Sequence, residues 1–330
     1  MPSPEEAPPP SLTRSALLAE DEVPAADTEQ PEGSIEATQA ALDRSLHWRA
    51  RVLLEQSASA AQLSDGPAVV DALEHNNQGV IRQIPFAAQR ALAVSRNPNS
   101  SVGELVALFE RDPTLTQSLL KVANSSWYGR GDDAIVSIAA AVQRIGYQGV
   151  ENVLLASIVE GVLCRPGGAY QILAGKVWSH MLRTAPLARR LAPAFGIDPE
   201  KAYTLALLHD VGKLVVFDFI SARRRELHRE VKVPETFLCS MLNHLHEPVG
   251  GHAALRWGLG AEAARALAEH HRHPVPTTPD LLTELLFVAE RIDLVTAVRY
   301  DRLNWAVIWD EGAITTDRGA VEERFAAAGE

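Results

Sequence analysis

Helix-starting devices recur along this chain, while strand-type alternation of polar and apolar residues is scarce. Ser101-Val-Gly-Glu104 is a capping-box pattern ahead of an apolar stretch, where a hydroxyl and a carboxylate accept bonds from N–H groups that a helix start leaves unpaired. Asp112-Pro113 sets a capping carboxylate before a proline suited to the first turn, and Asp198-Pro199-Glu200 repeats the device. In IVSIAAAVQRIG, Ile138, Val142 and Ile145 share one helical face, with Ser137 as cap and Gly146 as stop. Short β-branched runs such as KLVVF are bordered by helical pattern, so the chain is expected to be all-α.

The 330 residues, 46% of them hydrophobic, are enough to bury a large core. Residues 1–34 combine Pro8-Pro9-Pro10 with acidic side chains and have too little apolar surface to offset the entropy of ordering, so they read as a disordered tail. Residues 35–79 read as one or two accessory helices, with Leu42, Leu46, Val52 and Leu53 of LDRSLHWRARVLLEQ broadly on one side. Two helical lobes are expected over 80–166 and 167–300, divided near Gly167-Gly168, with 301–330 as a C-terminal extension. Within ANSSWYGRGDD, Asn124 and Ser125 are suited to stopping a helix, and Trp127 and Tyr128 to anchoring the early lobe.

A net charge of −11 argues against broad binding to nucleic acid or anionic membrane, because phosphate contacts need clustered Lys and Arg. The locally basic run SARRRELHREVK, 221–232, reads as a solvated helix face. Cys164 and Cys239 have neither zinc spacing nor a disulfide framework; they are expected to be core thiols in a reducing compartment. There is no long uncharged apolar run, and the N-terminus is acidic and proline-rich. A cytoplasmic protein is therefore expected.

Eleven histidines are unevenly placed. His180 lies in a helix whose apolar face includes Val177, Leu182 and Leu187; His209-Asp210 closes the helix that Asp198 opens, with Gly212 and Lys213 following. His244 and His246 flank Leu245, His252 follows, and His270-His271 ends an alanine-rich helix. Asp293 sits in a mostly apolar helix, where an unpartnered carboxylate would be costly to bury. Taken singly, each has a plainer explanation: a histidine at a helix end can be a cap, and Asp293 could pair with Arg291 or Arg299 at the surface. The joint order of His, His-Asp, His, His-His and Asp supports a metal site instead. Imidazole and carboxylate donors suit iron, manganese, zinc or nickel, as one or two divalent ions bridged by an aspartate.

This order resembles that of the HD superfamily of metal-dependent phosphohydrolases. By that resemblance His180, His209, Asp210 and Asp293 would hold a first metal and Asp210 would bridge. His246 with His270 or His271 would serve a second, and Lys213 would contact phosphate. RHPVPTTPD after His271 lacks the Gly-Tyr-Pro signature of the HD-GYP branch, and Lys176 stands where some relatives carry a glutamate ligand. The chain is more closely similar to HDOD domains, the output-domain branch found in bacterial signalling proteins. The similarity runs through RQIPFAAQRALAV, DPTLTQSLLKVANSSWYG, IVSIAAAVQRIG, VWSHMLRTAPLA, LLHDVGKLVV, HEPVGGHAALRWGL and ALAEHH. The His246-to-Trp257 spacing matches the family's histidine-to-tryptophan segment and favours His246 over His244 or His252.

The resemblance implies a two-lobed helical fold and a regulatory role, exercised by binding a signalling protein in trans. The alternatives are a metal-dependent phosphohydrolase acting on a nucleotide or cyclic dinucleotide, and a sensor that binds a nucleotide without turning it over. No receiver, GGDEF-type or DNA-binding motif is recognisable outside the HDOD-like span, so input and output are expected from separate proteins.

Overall fold

Local capping chemistry starts the helices where the sequence places them. Ser101 and Glu104 form both halves of the capping box, Asp112 accepts from the N–H groups of Thr114 and Leu115, and Asp198 accepts from that of Lys201 at 2.8 Å. The computed structural model describes residues 34–57, 64–75, 77–83, 86–97, 99–125, 128, 134–164, 169–272, 280–298 and 303–327. Among these there is no β-strand.

The helices are α1 (Ile35–Gln56), α2 (Gly66–His75), the single turn α3 (Asn77–Val80), α4 (Phe86–Arg96), α5 (Val102–Phe109), α6 (Pro113–Ala123) and α7 (Ile138–Leu163). After them come α8 (Gln171–Leu191), α9 (Pro199–Leu208), α10 (Val211–Leu227), α11 (Glu235–Arg256), α12 (Ala261–Ala268), α13 (Leu281–Val298), α14 (Trp305–Gly312) and α15 (Arg318–Ala326). KLVVF lies inside α10, with Leu214, Val215, Val216 and Phe217 buried. One hydrophobic core runs from Leu42 and Leu53 of α1 through Phe109 and Leu154 to Leu208, Leu245 and Leu285.

A buried polar knot ties the earlier helices to the later ones. Arg189 of α8 pairs with Glu200 of α9 at 2.6 Å, and Glu200 accepts from the Tyr128 hydroxyl and the Asn152 amide, each at 2.9 Å. The Arg189 guanidinium also lies 3.9 Å from the Tyr203 ring centroid, a cation–π contact. Tyr128 thus acts as an anchor and Asn124 as the C-cap of α6, while Trp127 lies outside the described residues.

Gly146 ends the first stretch of α7 as expected: at φ 71° its backbone is non-helical, and beyond this kink a second stretch carries Val150, Val153 and Leu154 into the core. Other expectations need correction. Leu182 is exposed: α8 turns Ala174, Trp178, Met181, Ala185 and Ala188 inward, and Leu182 falls one position off that stripe. Cys239 is exposed too, and Cys164 is half-buried, its thiol pushed up to about 12 by burial and nearby Glu160. Ser34 belongs to the folded part, its hydroxyl capping α1 through the Ala37 N–H. Residues 1–33, the Gly167-Gly168 boundary and residues 273–279 lie outside the described residues. No helix among the described residues is long and apolar enough to cross a membrane.

Candidate metal centre

His209 and Asp210 occupy the corner between α9 and α10, and a backbone contact holds that corner against α11. A Cβ on Gly212 would collide with the carbonyl of His246 and come within 2.8 Å of the Gly250 N, so only glycine allows the approach. On the next turn, Gly251 lets Leu42 of α1 and Ala264 of α12 close on the same helix. These close crossings bring Asp210, His246 and His270 together.

Asp210 is shared between two groups of side chains. Its Oδ1 lies 3.6 Å from His246 Nε2 and 3.8 Å from His270 Nε2; with His271 these form one group. Its Oδ2 lies 3.6 Å from His209 Nε2 and 3.9 Å from His180 Nε2; Glu290, 4.0 Å from His180 Nε2, completes the other. In each group the ligand atoms lie within 4.8 Å of one another. Lys213 donates to Oδ2 at 2.8 Å, and its ammonium forms an ion pair with Oδ1 at 2.7 Å. His271 Nε2 is 3.1 Å from Glu290, which links the groups on their second side, and at 31% side-chain exposure this histidine faces solvent.

Tautomers follow from the outer partners. The Nδ1 atoms of His209, His246 and His270 face the carbonyls of Ala206, Leu242 and Leu267 at 2.7, 2.5 and 2.8 Å. Each Nδ1 must therefore carry the proton, which leaves a bare Nε2 lone pair aimed inward in the neutral imidazole. His180 Nδ1 is similarly held at 2.6 Å by Asp293. The Nε2 atoms of His246 and His270 and Oδ1 of Asp210 are buried with no hydrogen-bond partner. Buried acceptors left bare are rare and costly, whereas metal ligands held from behind by carbonyls and carboxylates show this pattern. The residues fit divalent cations.

For His209 and His246 the electrostatics agree. Burial drives His209 down to about 4 and His246 also downward, so both stay neutral. Burial alone would raise Asp210, but the Lys213 ammonium leads the interactions that outweigh it and hold the carboxyl well below its usual range. Glu290 is likewise held low, with His271 the main opponent of its burial. His270 moves the other way: burial would lower it, but Asp210, Glu247 and Glu290 raise it.

The sequence-selected residues divide as follows. His180, His209, Asp210, His246, His270 and His271 converge, and Lys213 sits on Asp210. Asp293 stands behind His180, where it also pairs with Arg183 at 2.8 Å, while Arg291 pairs with Glu311 and Arg299 lies outside the described residues. The carboxylate in the cluster is Glu290, which sequence reasoning missed; its signal was its position one helical turn before Asp293, on the same face. His244 bonds the Ser240 carbonyl and His252 faces Gln39 and Asp43 of α1, so neither enters, and Lys176 is exposed on α8.

Fold and site together define a helical protein built around a buried His/Asp cluster. HDOD domain sequences match residues 81–273, more than half of the chain, and the protein belongs to the HDOD family. Its fold is similar to that of a "Putative metal-dependent phosphohydrolase" from Shewanella amazonensis SB2B, at TM-score 0.60 and 18% identity over 78% of this chain and 98% of that one. An HDOD domain protein with unknown function from Geobacter sulfurreducens matches at TM-score 0.50 and 19% identity, covering 75% and 90%. A "Putative signal transduction protein" from Marinobacter aquaeolei VT8 matches at 0.52 and 20%, covering 82% and 65%. An uncharacterized protein of Treponema pallidum (strain Nichols) is 27% identical over 203 residues, 59% of this chain; the chain spans 39% of that relative's length.

Proposed function

We propose that this protein is a regulatory module of bacterial signal transduction that binds a partner protein or a phosphate-bearing ligand and holds a metal centre at Asp210. The observation that carries the metal is the pair of buried Nε2 atoms on His246 and His270 that have no hydrogen-bond partner and converge on Asp210 Oδ1. The Lys213 ammonium cannot stand in for the cations. It neutralises Asp210 but leaves those imidazole lone pairs without a partner. Two ions fit better than one, because the donor atoms form two groups that share only Asp210. The test is metal analysis of protein purified without air, followed by titration of manganese, iron, zinc or nickel into chelator-stripped protein with thermal unfolding as the readout. Stripped protein that binds none of them would sink this proposal.

A second reading, hydrolysis of a phosphoester in a nucleotide or cyclic dinucleotide, is favoured by one feature: Lys213 places a fixed positive charge beside the shared carboxylate. Paired divalent cations supply Lewis acidity and lower the pKa of water. Around them Lys213 would neutralise charge on phosphate, Asp293 would orient His180, and the carbonyls behind His209, His246 and His270 would keep each ring in its productive tautomer. Metal-loaded protein incubated with bis(p-nitrophenyl) phosphate and with cyclic dinucleotides separates the two. Turnover that Lys213→Ala removes supports hydrolysis, and saturable ligand binding without turnover supports the module.

A further inference from the structure

We propose that Arg49, on α1 and outside the span shared with HDOD domains, is a positioning residue for the His270-His271 half of the centre. The inference rests on the metal reading above. It begins with Pro248 inside α11: proline has no N–H, so the carbonyl of His244, four residues earlier, loses its helical partner. Arg49 Nη1 donates to that carbonyl at 3.3 Å. The same nitrogen lies 2.7 Å from Glu247 Oε2, and the other carboxylate oxygen of Glu247 accepts the backbone N–H of His271 at 3.1 Å. Glu247 is only 2% exposed and directly follows His246.

One guanidinium therefore restores the bond that Pro248 removes and also neutralises a buried carboxylate that grips the turn carrying two ligands. Burial would raise Glu247, and Arg49 is the first of the charges that overcome it and hold it ionised. Without Arg49 the carboxylate would be buried without its arginine counterion, 3.9 Å from His270 Nδ1, and would compete with Leu267 O for that proton. The His270 tautomer and the His271 backbone would both lose their fixed orientation. Arg49 acts through Glu247, which it holds from the side away from the His271 N–H. The other group of donors, around His180, His209 and Glu290, meets this arm at His271, whose Nε2 lies 3.1 Å from Glu290, and at the edge-on His209–His270 ring contact; neither runs through Arg49 or Glu247.

The experiment is titration of zinc or manganese into the chelator-stripped full chain, with stoichiometry and affinity read for wild type, Arg49→Met, Glu247→Gln and the double variant. Circular-dichroism melting of each stripped protein runs alongside. The expected result is two ions in wild type and, in Arg49→Met, one ion held as before with the other weakened about 10–100-fold, the range seen when an outer partner of a ligand is lost. In the double variant the neutral amide needs no counter-ion and still accepts from His271, so affinity should return most of the way to that of Glu247→Gln. Wild-type occupancy that Arg49→Met leaves unchanged overturns the proposal alone. Additive losses in the double variant overturn it as well, because Arg49 would then not act through Glu247. If wild type binds no ion, the metal reading falls first and this proposal with it.

Discussion

The Nε2 atoms of His180 and His209 stand 3.1 Å apart, and the outer partner of each ring claims its other nitrogen. With both Nδ1 atoms engaged, two bare Nε2 lone pairs at that distance would repel, so a metal cation or a shared proton must lie between the rings. Adding zinc or manganese to chelator-stripped protein should raise stability by about 2.7 kcal/mol at a hundredfold excess over Kd, a melting shift of roughly 5 °C or more. Asp210→Ala should abolish that response, because Asp210 is the one residue common to both groups. Differential scanning calorimetry with and without metal checks both outcomes.

Stability of the stripped protein should fall as pH drops from 6.5 toward 4. His209 has its folded value depressed from 6.5 to about 4, so across that window the unfolded chain binds more protons and the fold loses ground. Complete loss of this contribution amounts to ~3 kcal/mol for His209, and His246 acts in the same direction. Lowered Asp210, Glu247 and Glu290 extend the loss below pH 4. His270 is raised and opposes it: its contribution is present at low pH and lost as pH rises through its folded value. Urea midpoints between pH 4 and 8 test the net slope, which should be positive below pH 6.5. A flat profile would mean the histidines are not held neutral.

Gly212→Ala should destabilise the fold by about 3 kcal/mol or more, because the new methyl meets backbone that cannot swing aside. Gly161→Ala is the control: it is helical, with nothing within 4 Å of a new Cβ, and should stabilise by about 0.5–1 kcal/mol. Denaturant unfolding of the two variants should move in opposite directions.

Glu290→Ala should weaken metal binding more than Asp293→Asn. The first removes a donor from the cluster, whereas the second only loosens the grip on His180 Nδ1 and costs about 10–100-fold in affinity. Competition with a chromogenic chelator ranks the two. The reverse order would make Asp293 the ligand.

Removing residues 303–330 should lower the melting temperature by more than 5 °C, or roughly 2 kcal/mol at this chain length. Arg272 is fully buried next to His271 and donates to the carbonyls of Gly312 and Ala313, while Glu284 accepts four bonds from Thr315 and Thr316. Truncation would leave both charges short of partners. Arg272→Met in the full chain should show a comparable loss by thermal unfolding.

Much of this protein was legible in the sequence because the relevant chemistry is local. Ser101, Asp112, Ser137 and Asp198 cap helices through backbone groups two or three residues away, so their effect is visible in any short window. The serial order of His180, His209-Asp210, His246 and His270-His271 was equally readable, as was the choice of His246 over His244 and His252, which the structure turns toward Ser240 and α1. Tertiary structure alone decided which carboxylate of α13 faces the cluster, since Glu290 and Asp293 lie one turn apart and only the approach of α8 sets which meets His180 Nε2 and which Nδ1. It likewise decided that α1 is no accessory: Leu42 meets Gly251 and Arg49 reaches Glu247, contacts across about two hundred residues that no local pattern encodes. Caps and periodicity act within a turn or two of helix, while a buried charge finds its partner only when separate helices close on one another.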